Sequence, residues 1–192
     1  MKLYGTTTSP FVRRVRIVAA ELGVAIDRVD TASEAGQVAL REISPIRKVP
    51  VAVLDGVTIF DSHEIIAALV ARHGWGPLAR PADPIDEANL VHACDAALES
   101  MIQLFYLRRD GIAIDGTVYA TRQLERTDAI FAWLAPRLSA AAGLGLATIA
   151  AVCTLDWMAF RQVYPIERAG RLLALRDAFG TRASFAATDP TV

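Results

Sequence analysis

Residues 49–62 read VPVAVLDGVTIFDS and predict a β-hairpin that leads into a helix. The pair Asp55-Gly56 is typical of the tight turn that joins hairpin strands, and the apolar runs on either side of it are the two strands. Asp61-Ser62 then marks a helix start, because both side chains can accept hydrogen bonds from the free N–H groups of a first helical turn.

The residues upstream of the hairpin predict alternating strands and helices. Residues 2–5 predict a first strand, and Ser9-Pro10 predicts a helix start, with Ser at the N-cap and Pro at the first helical position. Apolar residues at helical spacing indicate the buried face of this helix, and two arginines fall outside it: Phe11, Val15, Val18 and Leu22, against Arg13 and Arg16. A strand at 25–29 and a short helix at 36–43 complete the succession β-α-β-α-β-β-α.

The remainder of the chain predicts only helices, after a linker that is rich in proline and turn residues. We expect an N-terminal domain at residues 1–76, a linker at 77–84 and an all-helical domain at 85–192. Asp83-Pro84 repeats the pairing of an N-cap residue with a first-turn proline. The four predicted helices run from 84 to 109, from 117 to 141, from 145 to 160 and from 168 to 179.

The composition excludes several classes of function. The 192 residues carry 20 basic and 21 acidic side chains, without the basic excess of a nucleic-acid-binding protein. No secretory signal follows Lys2, and the uncharged stretch 138–155 is interrupted by Gly143 and Gly145. We therefore expect a cytoplasmic protein with no membrane segment and no nucleic-acid partner. The two cysteines and three histidines lack metal-ligand spacing, so we expect buried thiols and no metal.

Three of the predicted turns and helix starts have the chemistry to bind a peptide. Ser9 would place a hydroxyl at the positive end of a helix dipole, where an anion such as a thiolate is stabilised. A cis bond before Pro50 would turn the backbone of Val49 outward, toward an extended peptide. Asp61-Ser62 would pair with the ammonium and carboxylate of an amino-acid end. Taken singly, each feature also fits a capping residue or an ordinary proline at a strand edge.

Taken together, three segments resemble the N-terminal domain of the glutathione S-transferase family. They read TSPFVRRVRI at 8–17, SPIRKVPV at 44–51 and FDSHEII at 60–66, and their order and spacing also match. Residues 146–150, LATIA, resemble the start of the buried helix in the family's helical domain. The resemblance is to serine-type members of the bacterial stress-protein-like and plant tau-like kinds. It implies an α/β plus all-α fold: a thioredoxin-like N-terminal domain followed by a helical C-terminal domain.

The resemblance also implies which residues bind glutathione. Ser9 would donate a hydrogen bond to the glutathione sulfur and act as the catalytic residue. Val49, before a cis Pro50, would bind the cysteinyl backbone, and Lys48 would bind the glycyl carboxylate. The implied glutathione-binding set is Ser9, Lys48, Val49, Pro50, Asp61 and Ser62, the last two holding the γ-glutamyl end.

The expected reaction is attack of the glutathione thiolate on a small, apolar electrophile, with glutathione as co-substrate and no further cofactor. A serine at position 9 cannot form a mixed disulfide, which favours transferase chemistry over thiol–disulfide exchange. Tyr4 is a rival hydroxyl, because some family members use a tyrosine near the first strand. The candidate electrophile-site residues are Phe11, Phe105, Tyr106, Arg109 and Trp157.

Two alternatives stay open at this point. The first is a glutathione-dependent isomerase or peroxidase. The second is a non-catalytic module that binds glutathione or a protein in a stress or regulatory role, because a fold does not fix a function. For the transferase and for the isomerase or peroxidase, the resemblance implies a role in detoxification. It also implies that the protein is a homodimer.

Overall fold

The computed structural model describes residues 1–191, which divide into two compact units. The first unit consists of residues 1–78 and 182–191, and the second of residues 79–181. The helical domain expected at 85–192 therefore ends earlier than its predicted boundary, because residues 182–191 group with the first unit.

The first unit contains a four-stranded sheet. Its strands are β1 (Lys2–Tyr4), β2 (Asp27–Val29), β3 (Val51–Leu54) and β4 (Val57–Phe60). Their order is β2-β1-β3-β4, with β1 and β2 parallel and the other two pairs antiparallel. The predicted Asp55-Gly56 turn joins β3 to β4, and both residues have the positive φ (52° and 79°) that this tight turn requires.

Three helices complete the body of this unit. They are α1 (Pro10–Glu21), α2 (Glu34–Ile43) and α3 (Ser62–His73). Helices α1 and α3 pack on each other, whereas Leu40 of α2 packs with Tyr4 and Val51 in a core cluster of its own. The predicted succession of elements and the thioredoxin-like fold class are confirmed.

The second unit is helical. Its helices are α4 (Pro84–Arg109), α5 (Val118–Leu134), α6 (Leu146–Arg161) and α7 (Leu173–Phe179), with 3-10 helices at Ala140–Ala142 and Ile166–Leu172. Helix α4 packs on both α5 and α6, and α6 supplies much of the buried core.

Two predicted helix boundaries in the second unit are wrong. Helix α5 ends at Leu134 instead of near residue 141. The reason is Pro136, which has no N–H to donate and whose ring clashes with the carbonyl one turn earlier. The helix expected from 168 to 179 is interrupted at Gly170, whose φ of 55° and ψ of −122° lie outside the helical region.

The start of α6 is capped from another helix. Gly145 occupies its N-cap and has no side chain to accept a hydrogen bond. Glu87 of α4 takes that role, because its Oε1 accepts a hydrogen bond from the Ala147 N–H at 2.8 Å. The same carboxylate also lies at the positive end of the α6 dipole, where a negative charge is favourable.

Residues 182–191 form a C-terminal strap on α1. The strap contains α8 (Ala183–Ala186), and the side chain of Phe185 is fully buried. Glu21, the last residue of α1, accepts hydrogen bonds from Nε and Nη2 of Arg182, both at 2.6 Å. This bidentate ion pair fixes one end of the strap to the helix.

The expectation that Arg13 lies outside the buried face of α1 is wrong, because the strap covers this residue. Arg13 is only 2% exposed. Its Nη2 donates to the carbonyl of Phe185 at 3.3 Å, and its Nε donates to Oγ1 of Thr188 at 3.4 Å. An arginine can be buried here because the strap supplies acceptors for its N–H groups. Arg16 is half-buried and donates to the Ala187 carbonyl at 3.1 Å.

The Glu21–Arg182 pair makes a testable prediction about acid stability. The hydrogen bond from Arg182 holds the pKa of Glu21 below its ordinary value. A carboxyl whose folded pKa is lowered stabilises the fold above its unfolded pKa, and that stability is lost as the pH falls through the folded pKa. The unfolding free energy, measured from pH 7 downward, should therefore decrease once the pH is below roughly 4.3, the ordinary pKa of Glu. Glu21→Gln should lower stability at neutral pH and flatten this acid slope, and an unchanged slope would contradict the assignment.

Both cysteines are buried, Cys94 in α4 and Cys153 in α6, and neither forms a disulfide. Within residues 1–191, no helix combines the length and the apolar character needed to cross a bilayer.

Candidate functional site

The register of the sheet brings the three segments that are predicted to bind glutathione to one edge. Tyr4 at the end of β1 lies opposite Val51 at the start of β3, and Val51 lies opposite Phe60 at the end of β4. The chain that leaves β1, the chain that enters β3 and the chain that leaves β4 therefore meet at the same edge. These are the segments that carry Ser9, Val49-Pro50 and Asp61-Ser62.

Ser9 is the N-cap of α1, as the sequence predicts. Its Oγ accepts a hydrogen bond from the Val12 N–H at 3.3 Å, and the residue is half-buried. Because the oxygen acts as acceptor, the hydroxyl hydrogen can be donated elsewhere. The first turn of α1 contains no acidic residue, so no side-chain charge within that turn offsets the positive end of the helix dipole.

The Val49–Pro50 peptide bond is cis, which agrees with the conformation expected for it. Val49 is half-buried and packs against the Tyr4–Leu40–Val51 cluster. Within residues 1–191, no hydrogen-bond partner occupies the Val49 N–H or C=O. Both groups are therefore available to an extended peptide laid along this edge. Lys48 is exposed beside them.

Asp61 and Ser62 begin α3 with different surroundings. Asp61 is exposed, has a φ of 67°, and its Oδ1 accepts a hydrogen bond from the His63 N–H at 2.8 Å. Ser62 is 1% exposed, and its Oγ accepts two hydrogen bonds from Arg14, from Nε at 2.9 Å and from Nη2 at 2.6 Å. These two donors occupy the oxygen of Ser62 and leave its hydroxyl hydrogen free to donate.

Arg14 contacts the predicted site at Ser62, and the sequence interpretation did not identify it. It is 4% exposed, and its guanidinium carbon lies 5.0 Å from the centre of the Phe11 ring. It also ties α1, which carries Ser9, to the start of α3 at Ser62. One signal was present: Arg14 stands four residues after Pro10 and four before Val18, on a face of α1 that is buried throughout.

Four of the five electrophile-site candidates form one aromatic cluster in the second unit. The ring of Phe105 lies 5.4 Å from that of Tyr106 and 5.7 Å from that of Trp157, measured between centroids. The guanidinium carbon of Arg109 lies 4.6 Å from the centre of the Tyr106 ring. The fifth candidate, Phe11, lies in the first unit, half-buried beneath Arg14.

The rival hydroxyl of Tyr4 belongs to a residue of the core. Tyr4 is 6% exposed and packs with Leu40 and Val51. Its backbone pairs with β2 on one side and with β3 on the other.

Comparison with known proteins finds similarity to the same family. Residues 3–79 match the family model for the glutathione S-transferase N-terminal domain. The chain is 29% identical to the uncharacterized GST-like protein YibF of Escherichia coli (strain K12), over 99% of this chain and 98% of that protein.

Solved structures agree with this assignment. A glutathione S-transferase of Methylobacillus flagellatus KT, crystallised with GSH bound, matches with a TM-score of 0.83 at 26% identity and covers 98% of both chains. Another, from Methylobacterium radiotolerans JCM 2831 in complex with glutathione sulfonate, matches with a TM-score of 0.82 at 26% identity, over 98% of this chain and 94% of that one. Residues 3–79 are thus similar to the N-terminal domain of glutathione S-transferases, and the chain as a whole has the fold of these two solved glutathione S-transferases.

Proposed function

We propose that the protein binds glutathione along the edge formed by Ser9, Val49-Pro50 and Asp61-Ser62, and transfers it to a small electrophile. The observation that supports this proposal is the sheet register. It brings to one edge the capping hydroxyl of Ser9, the unpaired backbone groups of Val49 and the start of α3 at Ser62. The structural relatives crystallised with GSH and with glutathione sulfonate support glutathione as the ligand.

In this proposal the reaction depends on lowering the pKa of the glutathione thiol. The Ser9 hydroxyl donates a hydrogen bond to the sulfur, and the N-terminal end of α1 adds positive potential. A hydrogen bond to a charged group contributes about 1.5–3 kcal/mol, which corresponds to a pKa lowered by roughly one to two units. From a starting pKa near 8.5, roughly a quarter to three quarters of the bound thiol is then ionised at pH 7. The thiolate attacks the electrophile directly, and Ser9 forms no covalent bond.

Recognition of the γ-glutamyl end falls to the start of α3. The Ser62 hydroxyl and the N–H groups of the first turn bind the α-carboxylate, and the exposed carboxylate of Asp61 pairs with the ammonium. Arg14 is a positioning residue, because it fixes the direction in which Ser62 donates. Lys48 pairs with the glycyl carboxylate at the other end.

Replacing Arg14 tests this arrangement. Arg14→Met should raise the KM for glutathione by roughly 10- to 100-fold, since about 1.5–3 kcal/mol of charge-assisted hydrogen bonding is lost. The kcat at saturating glutathione should change far less, because the Ser9–sulfur contact is retained. Steady-state kinetics at varied glutathione concentration separates the two effects.

Two further variants control for a general effect on folding. Arg14→Lys keeps a donor and should recover part of the affinity, whereas Arg41→Met removes an exposed arginine of α2 and should leave KM unchanged. The positioning role is wrong if Arg14→Met lowers kcat as strongly as it raises the KM for glutathione, and raises the KM for the electrophile by the same factor.

The choice between an enzyme and a binding module requires a direct assay. Isothermal titration with glutathione, followed by conjugation of 1-chloro-2,4-dinitrobenzene, distinguishes them. Binding together with conjugation supports the transferase. Binding without turnover of any electrophile, isomerase substrate or peroxide in a panel supports a non-catalytic module.

We also retain a homodimer and a cytoplasmic location as proposals. The dimer follows from the family's usual assembly. Light scattering after size exclusion tests it, because a mass near the 20.7 kDa of one chain would contradict it.

A further inference from the structure

Arg161, the last residue of α6, lies between two aromatic rings at the edge of the aromatic cluster. Its guanidinium carbon is 5.0 Å from the centre of the Phe105 ring and 4.5 Å from that of Phe160. Contacts of this kind stabilise a cation by about 0.5–2 kcal/mol, and they hold the flat guanidinium in a fixed orientation.

This cation has no counter-charge among the described residues. Within residues 1–191, no carboxylate forms an ion pair with Arg161, and its buried Nε has no hydrogen-bond partner. By contrast, the half-buried Arg176 of the second unit is compensated by Asp156, and the exposed Arg168 by Asp128. The C-terminal end of the α6 dipole balances the Arg161 charge only in part.

The cluster also offers an accessible aromatic surface next to this cation. Tyr106 is 48% exposed, and Phe105, Phe160 and Arg161 are half-buried. Of the Arg161 nitrogens only Nε is buried and unpartnered, so the two Nη atoms remain accessible. Arg109, on the neighbouring Tyr106 ring, is already paired with Asp110 through a contact of 2.8 Å. Of the two arginines in this cluster, Arg161 is therefore the one whose guanidinium can bind an external anion.

We propose that Arg161 binds a carboxylate or a similar planar anion on an aromatic electrophile, whose ring stacks on Phe105 and Tyr106. The proposal rests on the transferase function and deepens it: the electrophile is an aromatic compound with one negative group, not a purely apolar one. Guanidinium geometry matches a carboxylate through two parallel hydrogen bonds, which gives orientation as well as affinity.

Two matched electrophiles test the charge preference. Methyl 4-chloro-3,5-dinitrobenzoate is neutral, and 4-chloro-3,5-dinitrobenzoate carries a carboxylate on the same activated ring. With both, the thiolate attacks the ring carbon that bears chlorine, the carbon–sulfur bond forms, and chloride leaves with the bonding electron pair. The two reactions therefore differ in substrate charge and not in mechanism.

Arg161→Met should raise the KM for the benzoate by roughly 10- to 100-fold, the equivalent of one charge-assisted interaction. The KM for the neutral compound should stay within about twofold, because its stacking surface is unchanged. Arg161→Lys should restore part of the preference. Arg171→Met, which removes an exposed arginine from the following 3-10 helix, should change neither value.

The outcomes separate this proposal from the transferase function. If Arg161→Met changes both KM values equally, or neither, the anion site is wrong while conjugation stands. If the parent protein conjugates neither compound, binding of 3,5-dinitrobenzoate is measured by calorimetry. Binding that Arg161→Met weakens then upholds the anion site without the transferase, and no binding overturns it.

Discussion

Ser9→Ala is expected to lower kcat/KM for conjugation by roughly 10- to 100-fold, the equivalent of about 1.5–3 kcal/mol of thiolate stabilisation. The physical reason is that Ser9 is the hydroxyl at the tip of α1, with its oxygen already accepting from Val12 and its hydrogen free to donate. Affinity for glutathione should change less, because Val49 and the α3 start still bind the rest of the tripeptide.

A control is needed because Ser9 also caps α1. Loss of an N-cap serine to alanine costs about 0.5–2 kcal/mol of stability, whereas glycine costs only a few tenths. Ser9→Gly should therefore keep the helix and still lose activity to the same degree. Thr8→Ala, which removes a neighbouring loop hydroxyl, should leave kcat/KM unchanged. Activity that survives in both Ser9 variants would remove the serine from the mechanism.

Phe185→Ala should destabilise the protein by about 3–5 kcal/mol, the usual cost of truncating a fully buried phenylalanine. Phe185 is the largest fully buried side chain of the described chain, and the Arg13 guanidinium lies over its ring at 6.0 Å. Its loss leaves a cavity beneath the strap and weakens the packing that surrounds the buried Arg13. Urea unfolding monitored by circular dichroism measures the difference.

A graded variant distinguishes packing from misfolding. Phe185→Leu fills most of the cavity and should cost clearly less than alanine, since the penalty grows with the volume left empty. Thr191→Ala, an exposed position of the same strap, should be close to neutral. Equal midpoints for the parent and Phe185→Ala would mean that the strap contributes nothing to the first unit.

Much of the fold was predictable because its signals are local. The Asp55-Gly56 turn and the Ser9-Pro10 helix start act within a few residues of themselves, and the structure contains both where they were expected. The long helix α4 also begins and ends where predicted, and Asp83 at the N-cap with Pro84 in the first turn accounts for its start. Such signals depend on backbone conformation rather than on distant partners.

The residues that were missed depend on distant partners. Arg13 is buried because of acceptors 172 and 175 residues away, and Arg14 because of Ser62, 48 residues away. The cap of α6 comes from Glu87, 60 residues before Ala147. No local pattern distinguishes Arg13 and Glu87 from solvated charged side chains, and the only local signal for Arg14 is its helical spacing from Pro10 and Val18.

The aromatic cluster falls between these two cases. The sequence analysis named Phe105, Tyr106, Arg109 and Trp157 as candidates for the electrophile site. It did not indicate Arg161, because a basic residue in the last turn of a helix is usually explained by the helix dipole alone. Only the positions of the Phe105 and Phe160 rings and the missing counter-charge distinguish this arginine from an ordinary one.

The central claim is tested most directly by the pKa of the thiol of bound glutathione, titrated by the ultraviolet absorbance of the thiolate. In the parent protein we expect that pKa to lie roughly one to two units below the value near 8.5 of a free thiol, and in Ser9→Gly to return toward it. The same pKa for bound and free glutathione, or the same lowered pKa in the parent and in Ser9→Gly, would contradict the role given to Ser9.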